Sequence, residues 1–189
     1  SHSGHHHSVP SVTPQKDETV KLYAGNTELD LDKPFVLTGY GDGQLHENDP
    51  ITRAQFAVLL YRSLTDDSKA ALASSTSVFT DVSDDSWYYD AVSVFASVGV
   101  LNGCNGFFRP NDNLTYGQLI AILTRFVDAK TAPMPDVSYA EHWAHKNIMT
   151  AVAYGWIQDA ASVQPDRVVT RGEVVELVNS IFERCADNA

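Results

Sequence analysis

Hydrophobic positions recur at helical spacing in two stretches that flank a polar loop. Ala91, Val92, Phe95 and Val98 form one series; Leu119, Ile122, Leu123 and Phe126 form the other. Spacing of i, i+3, i+4 and i+7 puts each series on one face of a helix, so residues 79–127 predict two helices with buried faces. Between them Asn102, Gly103, Asn105 and Gly106 supply turn chemistry, and Pro110 cannot sit inside a helix. Thr115 and Gln118 form a capping box that marks the start of the second helix. A unit of about fifty residues with its own caps and breakers is the mark of a repeat.

The plan recurs in residues 135–185. Asp136-Val137 and Trp143 stand there as Asp81-Val82 and Trp87 stand in the first copy, and Trp143 precedes Gly155 by the interval that separates Trp87 from Gly99. Residues 39–64 match only the second half of the unit. The capping boxes align as Thr52-Gln55, Thr115-Gln118 and Thr170-Glu173. Behind them Phe56, Leu119 and Val174 align, as do Leu60, Leu123 and Val178, which predicts that the three capped helices pack together. Where the first unit lacks its first half, residues 17–37 alternate apolar and polar around Gly25-Asn26. They predict two short strands and a turn that cover the missing half. Residues 1–16, with four histidines and two prolines, read as a flexible leader or the remnant of a tag. The division is then a divergent first repeat at 17–64, linkers at 65–78 and 128–134, and repeats at 79–127 and 135–185.

Three residue types in this plan bear on chemistry. Thr and Gln or Glu of each box are helix caps. The arginine that follows Thr in two boxes is not there for helix stability, because the dipole disfavours a cation at the first helical position. The forks of Arg53 and Arg171 suit a carboxylate or phosphate, and a helix N-terminus attracts anions as well. Trp87 and Trp143 are either core anchors or rings offered to a sugar face. Asp81 and Asp136 are either turn residues or acceptors for sugar hydroxyls.

FTDV with Trp87 at 79–87, GYGDG at 39–43, ITRAQF at 51–56 and VTRGEV at 169–174 together resemble the S-layer homology repeat of bacterial cell-surface proteins. The resemblance runs from Gly39 to Arg184, in two full repeats and one half. It implies a mainly α fold of helix-loop-helix units around a pseudo-threefold axis, with a short β-like N-terminal segment. Each unit is too small for its own core, so neighbours complete it. It also implies non-covalent anchoring of an extracellular surface protein to the wall of a Gram-positive-type bacterium. The implied partner is an acidic secondary cell-wall polysaccharide carrying ketal-linked pyruvate; other domains of the surface protein are a second kind of partner. The groove residues implied are Arg53, Asp81, Trp87, Arg171, Asp136 and Trp143, with Gly39 and Tyr40 of the GYGDG loop. By that pattern the arginine of one repeat faces the Asp and Trp of the next. Arg53 would face Asp81 and Trp87, Tyr116 would face Asp136 and Trp143, and Arg171 would face the N-terminal segment. Repeat two has Tyr116-Gly117 in place of Arg-Ala, and repeat three lacks GYGDG. These departures favour the alternative, a structural or protein-interaction module that no longer binds glycan.

Composition narrows the partners. The net charge of −11 argues against nucleic acid or an anionic membrane, each of which needs a basic surface. No stretch approaches the roughly eighteen apolar residues of a membrane span, so no membrane insertion is predicted. No basic-then-apolar signal opens the chain, so a secreted protein would be in mature or trimmed form. Cys104 and Cys185 are the only cysteines and are predicted to be free thiols. His142 and His145 lie three apart with no third ligand in view, and no catalytic fingerprint is present. A non-enzyme without cofactor is expected.

Overall fold

The computed structural model describes residues 20–186. In chain order they form β1 (Tyr23–Ala24), β2 (Thr27–Glu28), α1 (Arg53–Arg62), α2 (Asp66–Ala71), α3 (Tyr89–Ser97), α4 (Tyr116–Thr124), α5 (His145–Ala153), a 3-10 turn (Ala160–Ser162) and α6 (Arg171–Cys185). The fold is mainly helical with one two-stranded antiparallel sheet.

The helices begin where the sequence places caps. Thr52, Thr115 and Thr170 each accept from the amide three residues on, and Gln55, Gln118 and Glu173 each bond back to the cap amide, so all three boxes are closed. The helices carrying Trp at their approach end on glycine: Gly99 has φ 78° and Gly155 φ 77°, which a side chain would resist. Each glycine brings the next amide back to the helix, with Val100 donating to Phe95 O and Trp156 to Ala151 O, both at 2.9 Å.

The starts of the capped helices are tied into a ring. Leu114 N donates to Ile51 O (2.8 Å), Val169 N to Leu114 O (3.1 Å), and Ile51 N to Val169 O (3.3 Å), and all three side chains are fully buried. From this ring α1, α4 and α6 carry their apolar faces inward. Phe56, Leu119 and Val174 are buried, as are Leu60, Leu123 and Val178, in one continuous core. The Trp-bearing helices then pack on the capped helix of the preceding repeat: α3 lies on α1, and α5 on α4.

Among the described residues no Trp-bearing helix follows α6 in that way, and the N-terminal segment lies there instead. Gly25 turns at φ 55° between β1 and β2. Phe35 gives its N–H to Asn179 Oδ1 (2.8 Å) and takes a bond on its carbonyl from Nδ2 (2.9 Å), so an α6 side chain acts as the missing strand partner. Leu22, Leu29, Phe35 and Leu37 join the core. The same segment binds the far ends of all three capped helices: Val20 N to Cys185 O, Tyr23 N to Phe126 O and Asp30 N to Ser63 O. Within residues 65–78, expected as linker, Thr65 caps the six-residue α2, whose first turn carries Asp66 and Asp67. The leader at 1–16 lies outside the described residues.

Candidate functional site

Arg53 opens α1 and reaches across to the loop before α4. Its Nε donates to Phe108 O (3.0 Å) and its Nη2 to Asn102 O (3.1 Å), with the guanidinium 4.7 Å from the Phe108 ring centroid. Nη1 makes no hydrogen bond among the described residues, and Arg53 lines a cleft of about 460 Å3. The cleft holds two more arginines, Arg109 and Arg125, against the single carboxylate of Asp112, and Trp143 stands on its wall 58% exposed. That volume suits a small ligand. Burial pushes the Arg53 guanidinium below its ordinary value; Asp112 opposes this, Arg125 and Arg109 add to it, and Asp81 opposes it. Burial moves Arg125 the same way. Partly desolvated cations that repel one another are relieved by an anion placed between them.

The tryptophan in this cleft is Trp143, whereas the sequence pattern pairs Arg53 with Trp87. The reason is helix packing. Trp143 leads into α5, which lies on α4, and Gln118, Ala121, Ile122 and Arg125 of α4 line the Arg53 cleft. Trp87 leads into α3 on α1; it is 64% exposed and sits edge-on to Tyr88. Asp81 does belong to the Arg53 side, but as a holder of the turn. Its two oxygens accept the amides of Phe108 and Arg109, each at 2.8 Å, and Arg109 is at φ 62°. Asp136 is exposed and makes no such bond.

One repeat on, the same register builds a different surface. Tyr116 replaces Arg53, and Glu173, Glu176, Leu177 and Ser180 of α6 replace Gln118, Ala121, Ile122 and Arg125 in a cleft of about 310 Å3. Tyr116 thus faces α6 and its glutamates, not Asp136 and Trp143 as the sequence pattern predicts. Arg167 lies over the Tyr116 ring at 5.4 Å and pairs with Glu173 at 2.6 Å.

Arg171 does face the N-terminal half, but it is closed off. It is 2% exposed, donating from Nε to Leu45 O (3.1 Å), from Nη1 to Gln55 Oε1 (3.3 Å) and from Nη2 to Thr38 O (2.6 Å). Tyr40 covers the guanidinium at 4.5 Å and is itself stacked on His46 at 4.4 Å. Gly39 allows this loop its shape, since a Cβ there would lie 2.6 Å from Gln44 O. Tyr40 and Gly39 therefore belong to the closure around Arg171. The helix N-termini offer no anion site either: their leading amides already have partners. Arg53 N donates to Asp112 O, Tyr116 N to Arg167 O and Arg171 N to Asp49 O, with the next residue of each helix bonded likewise.

His142 is engaged by Ala144 N on Nδ1 (3.0 Å) and by Asp166 on Nε2 (2.9 Å), which fixes the Nε2–H tautomer when the ring is neutral. Among the described residues no three His, Cys, Asp or Glu side chains cluster to hold a metal. Arg109 and Arg125 were not singled out by sequence reasoning. The repeat register contains a signal for Arg125, which stands ten residues past its cap as Arg62 does past Thr52.

The family model for the S-layer homology domain matches residues 78–120. The chain contains an S-layer homology domain. The matched S-layer homology region contains Asp81, the 102–109 loop and the start of α4, which is one wall of the Arg53 cleft. The chain is similar to the cellulosome-anchoring protein of Acetivibrio thermocellus, 29% identical over 186 residues that cover 92% of this chain and 40% of that one. It is 24% identical to the middle cell wall protein of Brevibacillus brevis, covering 92% and 15% respectively. With the surface layer protein of Brevibacillus choshinensis it shares 30% identity, covering 62% and 10%. The chain thus spans less than half the length of these relatives. Among the described residues no helix is long and apolar enough to cross a membrane.

Proposed function

We propose that this S-layer homology region attaches a surface protein to the bacterial cell wall by taking an acidic, pyruvylated sugar of a wall polysaccharide into the Arg53 cleft. The cell-surface setting and the anchoring role rest on the family match and on relatives named for anchoring, cell wall and surface layer. The choice of an anionic ligand rests on one observation. Two clefts built on the same register differ in charge: Arg53 and Arg125 in the first stand where Tyr116 and Ser180 stand in the second, and Glu173 and Glu176 replace Gln118 and Ala121. A carboxylate held as a ketal has the flat two-oxygen face that a guanidinium fork matches, and Trp143 can lie against the sugar ring beside it. Nothing in this arrangement performs chemistry; it is a binding site.

The structural-module reading keeps its own support, since the Tyr116 cleft is acidic and Arg171 is buried under Tyr40. Calorimetry at low salt with purified pyruvylated polymer separates the two. Arg53→Ala is expected to weaken binding roughly 10- to 150-fold, the equivalent of about 1.5–3 kcal/mol for a charge-assisted hydrogen bond. Tyr116→Ala should leave affinity unchanged. Polymer stripped of its pyruvate should bind wild type no better than Arg53→Ala binds the native polymer. Equal binding by wild type and Arg53→Ala would give the site to another groove, and no binding by either would favour the structural module.

A further inference from the structure

Arg125 lines a second cleft besides that of Arg53. This one, of about 530 Å3, lies at the far end of α4, between the N-terminal segment and the end of α5. Three cationic residues line it, Lys21, Lys130 and Arg125, whose Nη1 donates to Val100 O (2.8 Å), against the carboxylate of Asp128. Such a gathering is notable on a chain with 13 Lys and Arg against 24 Asp and Glu, because the rest of the surface repels polyanions. Lys130 is held in place by its backbone: its N–H donates to Thr150 Oγ1 at 3.3 Å and its carbonyl accepts from the same hydroxyl at 3.2 Å. Its ammonium lies 4.2 Å over the ring of Tyr154, whose hydroxyl donates to Asp128 O. The end of α4 contributes partial negative charge here, and the amides of Tyr23, Arg125, Phe126 and Val127 already take up its last carbonyls and that of Phe126.

We propose that this cleft is a second anion subsite, which binds an acidic residue further along the same polysaccharide whose end occupies the Arg53 cleft. Arg125 is the link, with one wall in each cleft. The subsite rests on the anchoring reading, and it accounts for cations that a site for one terminal sugar does not use. Because Lys21 and Lys130 are exposed, their replacement leaves the fold intact.

The test compares two ligands in calorimetry at low salt: intact acidic wall polymer and its isolated pyruvylated terminal fragment. Lys21→Gln/Lys130→Gln is expected to weaken the intact polymer about tenfold, the effect of two well-placed exposed ion pairs, and to leave the fragment within about twofold. Lys33→Gln/Lys69→Gln removes the same charge elsewhere and should leave both ligands within about twofold. Equal weakening of fragment and polymer, equal weakening by the control pair, or an unaffected polymer would each overturn the subsite. If Arg53→Ala abolishes binding of both ligands while Lys21→Gln/Lys130→Gln changes neither, only the subsite fails. If Arg53→Ala changes neither, the Arg53 cleft is not the site and the subsite falls with it.

Discussion

Arg171→Ala is expected to unfold the protein more readily rather than to report on ligand binding. The Arg171 side chain is 2% exposed and gives three hydrogen bonds, two of them to the carbonyls of Leu45 and Thr38 in the loop that precedes α1. Bonds from a charged donor contribute about 1.5–3 kcal/mol each, so three sum to roughly 5–9 kcal/mol before offsets. Burying the guanidinium itself costs several kcal/mol, which alanine does not incur. A net loss of about 2–4 kcal/mol remains, a large share of a typical stability of about 5–15 kcal/mol. Urea unfolding followed by tryptophan fluorescence measures it, with Trp156 buried and Trp87 and Trp143 exposed as reporters. Arg53→Ala serves as the comparison, because that fork is half-buried and gives two hydrogen bonds, both to carbonyls. It should lose about 1–2 kcal/mol. A loss under about 0.5 kcal/mol for Arg171→Ala, or no more than for Arg53→Ala, would refute the assignment of different roles to these two arginines.

Acid should expose a second dependence. Burial raises the Glu173 carboxyl, but Arg167 and the Thr170 amide outweigh it and hold the group below its ordinary value of 4.5. A depressed folded value means stability that is present above the ordinary value and lost as pH falls through the folded one. The urea midpoint of wild type should therefore exceed that of Glu173→Gln near neutral pH, and the gap should close as pH falls below the ordinary value of 4.5 and through the folded one. A gap that persists in acid contradicts the ion pair. For the thiols, iodoacetamide should label Cys104 in the native protein and Cys185 only in denaturant, since one is exposed and the other buried. Intact mass would show one adduct, then two; a pair that resists labelling under native oxidising conditions would contradict free thiols.

Much of this architecture is legible in the sequence because it is local. Thr52-Gln55, Thr115-Gln118 and Thr170-Glu173 mark helix starts through contacts three residues long, and the apolar stripe behind each names the core. The Gly25-Asn26 turn is equally local. What the sequence does not carry is the partner across a repeat boundary. Trp143 joins Arg53 because α5 lies on α4, a contact between repeats that no single motif encodes. Arg171 and Arg53 occupy the same motif position, yet Tyr40 closes over one. Cys104 stands after Gly103 as Tyr40 stands after Gly39, and it leaves the other open.

The same register therefore sets three different surfaces, and the difference lies in few side chains. One capped helix presents its third, sixth, seventh and tenth residues past the cap to the first helical residue of another. With Gln118, Ala121 and Arg125 facing Arg53, the result is cationic; with Glu173, Glu176 and Ser180 facing Tyr116, it is acidic. With Gln55 facing Arg171, it is filled by the chain's own loop. At an effective dielectric near 20, a unit charge about 4 Å away is worth about 4 kcal/mol, so exchanging a cationic wall for an acidic one reverses the preference for a carboxylate by several kcal/mol. Screening trims that in the open and less so beside half-buried guanidinium groups such as those of Arg53 and Arg125. On a chain of net charge −11, an anionic polymer has one such opening among the three grooves. Under the proposed anchoring, orientation on the wall would follow from where that opening lies, rather than from the number of repeats.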